Sequence, residues 1–136
     1  MNANAAGPVG EAGRRILIVD DEPDVITYLE TFFQDQGYAT SSAPDGKVGF
    51  AKARSEHPDL ITLDISMPEE SGVKMFRQLQ DDPATKDIPV IIVTGISSDF
   101  ERFIRSRKQV HPPDGYFEKP IDKEALLRRI QEIFGS

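Results

Sequence analysis

The sequence contains no cysteine and no long apolar run, and positive charge is in short supply. Without cysteine there are no disulfides and no thiolate metal sites, and a reducing cytoplasm suits the chain. No apolar run approaches the roughly 18 residues that cross a bilayer, so no membrane span is expected. Lys and Arg number 16 against 23 Asp and Glu, a net charge of −7. That balance argues against a general nucleic-acid or membrane-surface binder, since both need cations to meet phosphate. The opening MNANAAGPVGEAG lacks a basic start and an apolar core, so no signal peptide is expected in it. Residues 1–13 read as a flexible lead-in to one domain over 14–136. With 38% hydrophobic and 29% charged residues, that domain has the composition of an ordinary globular protein.

After the lead-in, short apolar runs alternate with helical patterns. Strands are expected over Ile16–Val19, Tyr38–Ser42, Leu60–Leu63, Val90–Val93 and Tyr116–Glu118. Val25, Ile26, Leu29, Phe32 and Phe33 share one helix face, with Pro23 in the first turn and Gly37 past the end. Asp45 can cap a helix to about Arg54, and PEESG leads into another carrying Val73, Phe76 and Leu79. Phe100, Phe103 and Ile104 mark a fourth helix. The last carries Leu126, Leu127, Ile130, Ile133 and Phe134, capped by Asp122 and stapled by Ile121. Strands alternating with helices imply right-handed crossovers and a parallel sheet covered on both faces. ILIV and VIIV read as central strands, and the more polar YATSS as an edge. The last helix leaves little chain after it, so a domain without an appended output unit is expected.

Ligands of open parallel sheets bind where strands end at their carboxyl edge. Asp20 and Asp21 follow the first strand, Asp64 the third, Thr94 the fourth and Lys119 the fifth. Three close carboxylates repel unless a cation joins them. Oxygen ligands alone suit a hard ion such as Mg²⁺, whereas softer metals want His or Cys. A divalent cation, a lysine and a hydroxyl together can hold a dianionic phosphoryl group, and Asp64 can attack phosphorus.

In these residues, and over about 15–134, the sequence resembles the receiver domain of two-component response regulators. The resemblance implies a flavodoxin-like (βα)5 fold, a doubly wound parallel five-stranded sheet of order 2-1-3-4-5. It makes Asp64 the phosphoacceptor. Asp21, Asp64 and the backbone carbonyl of Ser66 become direct Mg²⁺ ligands, with Asp20 acting mainly through water. Thr94 and Lys119 would bind phosphoryl oxygens, Tyr116 would change rotamer with phosphorylation, and Lys119–Pro120 would be cis. The implied partners are a histidine kinase or histidine phosphotransfer protein upstream and a protein target downstream. The downstream face would comprise Phe100–Lys108, Tyr116 and the last helix. Such a protein is a phosphoacceptor promoting its own phosphorylation and dephosphorylation rather than an enzyme on other substrates. Gly95 stands where the family more often has alanine, and is expected to preserve a close approach while adding backbone freedom. Thr94 and Lys119 lie 25 residues apart, a little more than usual, with the surplus in RKQVHPPDG.

Other readings fare less well. An aspartyl phosphatase of the haloacid dehalogenase type would want an acid where Ser66 stands. A flavin or nucleotide binder would want phosphate-cradling glycines after the first strand, where the acids repel phosphate. A receiver excised from a longer regulator with a DNA-binding or enzymatic output stays open. His57 and His111 each precede proline in an expected loop and read as surface residues rather than phosphohistidines. ERFIRSRK is basic in an acidic chain, and reads as a solvated face or a partner-binding one.

Overall fold

In the computed structural model, residues 13–95 and 112–135 are described. Five strands, β1 (Arg15–Val19), β2 (Ala39–Ala43), β3 (Leu60–Leu63), β4 (Val90–Thr94) and β5 (Gly115–Glu118), form one sheet of order β2-β1-β3-β4-β5. Every neighbouring pair is parallel. Among the described residues the helices are α1 (Pro23–Asp35), α2 (Gly46–Glu56), α3 (Ser71–Asp81) and α4 (Lys123–Phe134). The helix expected around Phe100–Ile104, and with it the basic stretch to Lys108 and His111, lies outside the described residues.

Side chains alternate across the pleat, and the two faces bury separate sets. Ile16, Ile18, Leu60, Ile91 and Val93 pack against Leu29 and Phe33 of α1 and Leu126 and Ile130 of α4. Leu17, Val19, Ile61, Leu63, Val90 and Ile92 pack against Ala53 of α2 and Met75, Phe76 and Leu79 of α3. Each large side chain so buried contributes about 1.5–3 kcal/mol. Phe33→Ala, at a position with no solvent exposure, should cost about 3–5 kcal/mol. The central strands are apolar throughout because both faces are covered, as ILIV and VIIV imply.

Helix ends follow the local chemistry. Asp45 Oδ1 accepts from Val48 N at 2.9 Å, and Asp122 Oδ1 from Ala125 N at 3.1 Å, so both expected caps form. Gly37 takes φ 95° after α1, a left-handed turn that glycine adopts without a Cβ clash. Ile121 packs against the cluster that includes Leu126, the side of α4 a staple would take. Two details differ from expectation. Tyr38 sits just before β2 because its N–H still bonds Phe33 O of α1 at 3.1 Å. PEESG does not enter its helix directly: Pro68–Glu70 form a 3₁₀ turn, with Glu69 and Glu70 left-handed at φ 59° and 58°. Nothing in PEESG favours that backbone, which costs a non-glycine residue roughly 1–2 kcal/mol.

Candidate functional site

The backbone carries the chemistry to the sheet's carboxyl edge. Parallel pairing runs on past the strands: Asp20 N bonds Ala43 O at 3.1 Å, Asp64 N bonds Val19 O at 3.0 Å, and Lys119 N bonds Thr94 O at 2.9 Å. Asp20, Asp64 and Lys119 are therefore held by the sheet rather than by loops. Lys119–Pro120 is cis, as expected. Gly72, near the start of α3, lies so close to the Asp64 carbonyl that a Cβ there would collide with it. The helix can pass beneath Asp64 only because that side chain is missing. Gly95 is different. A Cβ there would meet nothing within 4 Å among the described residues, and the chain directly after it lies outside them.

Asp20, Asp64 and Thr94 are buried, and Asp21 is exposed. Asp20, Asp21 and Asp64 each offer a carboxylate oxygen, all within 4.8 Å of one another. Lys119 reaches into the group from β5, with Nζ 3.1 Å from Asp20 Oδ2 and 3.3 Å from Asp64 Oδ2. Asp20 Oδ1 accepts from Glu22 N at 2.9 Å. Asp64 Oδ1 accepts from Ser66 N at 2.8 Å and from Ser66 Oγ at 2.6 Å. Tyr116 packs its half-buried ring against the α2–α3 side of the core, with its hydroxyl oxygen buried.

Burial pushes the Asp20 carboxyl above its ordinary 3.8, and the Asp64 charge adds to that, against the Glu22 N–H and Lys119. Burial alone would pull Lys119 down. The Glu22 hydrogen bond and the Asp64 and Asp20 carboxylates outweigh it, and Lys119 ends above its ordinary 10.5. Lys119 is thus held in its charged form among the carboxylates.

Two contributions were not legible beforehand. Glu22 places Oε1 2.7 Å from Lys119 Nζ, nearer than either buried aspartate. The Ser66 hydroxyl, not only its backbone, bonds Asp64. Glu22 follows the acidic pair directly and Ser66 lies two residues past Asp64, but only side-chain rotamers settle where each points.

A parallel sheet of this order, with acids, a hydroxyl and a lysine gathered at its carboxyl edge, defines a class of signalling domain. Residues 16–131 match the response regulator receiver domain, and the chain belongs to that family, a component of two-component signalling. Among its relatives is protein PilH of Pseudomonas aeruginosa, 38% identical over 119 residues, covering 88% of this chain and 96% of that one. Response regulator PleD of Caulobacter vibrioides is 34% identical over 119 residues, but there the match spans 26% of the longer protein. Of solved structures, the receiver domain of sensor histidine kinase PA1611 from Pseudomonas aeruginosa superposes with a TM-score of 0.79 at 26% identity, covering 92% of this chain and all 100% of that one. That structure holds a magnesium ion in its active-site cleft. Among the described residues, no helix is long and apolar enough to cross a membrane.

Proposed function

We propose that this chain accepts a phosphoryl group on Asp64, from a phosphohistidine of a histidine kinase or histidine phosphotransfer protein, and passes the signal to a protein target. The observation that carries the reading is the Lys119 ammonium, held 3.3 Å from one Asp64 oxygen and 3.1 Å from Asp20 at the meeting of three strand ends. A lone surface lysine has no reason to be drawn over two buried carboxylates. A lysine that senses the charge on Asp64 does.

The donor set fits a hard divalent cation: oxygen only, three carboxylates within 4.8 Å, one of them solvent-exposed. Asp21, Asp64 and the Ser66 carbonyl would ligate Mg²⁺ directly, with Asp20 acting through water. Bound there, the ion supplies charge neutralisation for the incoming phosphoryl oxygens. An Asp64 oxygen attacks phosphorus, the O–P bond forms as the donor's N–P bond breaks, and the imidazole leaves. Lys119 pairs with one phosphoryl oxygen. The Thr94 hydroxyl, at the end of the neighbouring strand, donates to another.

The output follows from the same residues. A phosphoryl group brings nearly two negative charges and strong acceptors to Asp64. Drawing Thr94 toward them changes the space beside Tyr116, whose ring exchanges between the buried position and an outward one. That couples the site to a face containing Tyr116 and α4, with Phe100–Lys108 the remaining part proposed from sequence.

Incubation with acetyl phosphate and Mg²⁺, followed by intact mass and peptide mapping, tests the reading. One hydroxylamine-labile phosphoryl group on Asp64 is expected, and none in Asp64→Asn. Undiminished labelling of Asp64→Asn would place the acceptor elsewhere.

A further inference from the structure

Lys119 carries three N–H donors, and among the described residues three carboxylates take them. Nζ lies 2.7 Å from Glu22 Oε1, 3.1 Å from Asp20 Oδ2 and 3.3 Å from Asp64 Oδ2. A phosphoryl oxygen arriving at Asp64 finds no donor on Lys119 unless one partner withdraws. Asp20 cannot do so, because its side chain is almost wholly buried and anchored by its own hydrogen bond, and Asp64 yields its share only once its oxygen has joined phosphorus, after the anionic donor has already had to approach. Glu22 can. Its side chain is 59% exposed, so release carries it only into water.

The backbone explains why Glu22 is there. It occupies the N-cap position of α1, with φ −100° and ψ 112°, yet its side chain makes no capping bond. Asp20 bonds the Glu22 N–H and turns the chain at this point. The glutamate is left long enough, and free enough, to lie across the mouth of the cleft on Lys119. It also adds charge. Asp20, Asp21, Glu22 and Asp64 against Lys119 leave a formal charge of −3, which a divalent cation brings to −1. Without Glu22 the loaded cleft would be neutral.

We infer that Glu22 is a latch on Lys119: its carboxylate holds the ammonium's third N–H in the unphosphorylated protein and is displaced by the incoming phosphoryl group. It is a positioning residue, acting through Lys119, and it sets how readily an anionic phosphodonor is accepted. The inference rests on the phosphoacceptor reading of Asp64.

Glu22→Gln keeps the length and removes the charge. At saturating Mg²⁺ and low salt, the initial rate of Asp64 labelling by acetyl phosphate should rise about fivefold, and the advantage should shrink toward unity near 1 M salt, where the Debye length falls to about 3 Å. Beryllofluoride, a phosphoryl mimic that does not react onward, should bind Glu22→Gln more tightly by a similar factor in a fluorine NMR titration. A purely structural role for Glu22 would move neither the salt dependence nor the mimic affinity in this direction. Equal rates and affinities, with wild-type Asp64 plainly labelled, overturn the latch alone, as does a gain that salt leaves untouched. Absence of Asp64 labelling and of beryllofluoride binding in both proteins overturns the phosphoacceptor reading, and the latch with it.

Discussion

The Ser66 hydroxyl donates to Asp64 Oδ1 at 2.6 Å, and the Ser66 N–H donates to the same oxygen at 2.8 Å. Asp64 Oδ2 faces the Lys119 ammonium instead. The two oxygens of one carboxylate are thus distinguished, one held by its own loop and the other turned to the cation across the cleft.

Ser66→Ala removes one of the two loop donors and leaves the backbone one in place. Hydrogen bonds to charged groups contribute about 1.5–3 kcal/mol, and the surviving donor retains part of that. A loss of about 1 kcal/mol is expected in urea unfolding, read as a lower midpoint at unchanged slope. An unaltered midpoint would show that the hydroxyl contributes nothing beyond the backbone bond.

The two glycines flanking the site should respond oppositely to alanine. At Gly72 the new methyl collides with the Asp64 carbonyl, which belongs to the sheet-anchored strand end and cannot yield freely. Overpacking of this kind costs about 1–3 kcal/mol and shifts Asp64 relative to Lys119. At Gly95 nothing among the described residues stands within 4 Å, so Gly95→Ala should be neutral or stabilise by about 0.4–1 kcal/mol through the unfolded chain. Thermal unfolding of both variants side by side checks the pair, and similar losses at the two positions would contradict it.

The contrast shows what the sequence can and cannot say. The fold was legible because it depends on periodicity: VIIV can be apolar at every position only if helices cover both sheet faces, and they do. The meeting of Asp20, Asp21, Asp64 and Lys119 was legible because each comes just after a strand, and the carboxyl edge of a parallel sheet gathers such residues. Contacts set by rotamers and by close packing were not. Gly95 drew attention beside Thr94, yet Gly72 is the glycine whose missing side chain admits the helix. Glu22 looks like one more surface acid in a chain with 23 of them, until its carboxylate is seen on Lys119. The left-handed Glu69 and Glu70 carry no glycine to announce them.

Magnesium should stabilise the fold, because three carboxylates within 4.8 Å repel one another more than one lysine can offset. At a concentration tenfold above its Kd the gain is about 1.4 kcal/mol. Melting curves with MgCl₂ against NaCl of matched ionic strength should show the rise in Tm only with MgCl₂. Asp21→Asn, with one carboxylate fewer in the group, should need more ion for the same shift, and its metal-free Tm should rise slightly as part of the repulsion is relieved. Identical curves in the two salts would exclude a divalent site.

Asp20 gives the sharpest pH signature. Burial lifts its pKa in the folded protein above 3.8, so between 3.8 and the raised value the folded state keeps a proton that the unfolded chain has released. By linkage, stability falls as pH climbs through that window, and the cost is complete once Asp20 is ionised in the fold. Metal-free protein at neutral pH therefore carries an unfavourable buried charge that Lys119 only partly offsets. Asp20→Asn removes that charge and keeps an oxygen to accept the Glu22 N–H. Without metal, the variant should melt above wild type at pH 7, and the gap should close as pH drops below 3.8, where wild-type Asp20 is protonated in both states. With saturating Mg²⁺ the wild type recovers, since a cation stabilises the ionised carboxylates, and the variant gains less because one of them is gone. Melting both proteins from pH 3 to pH 8, with and without the ion, separates these contributions. A metal-free variant that melts below wild type across the whole range would mean that pairing with Lys119 outweighs burial, and that Asp20 stabilises the empty cleft rather than straining it.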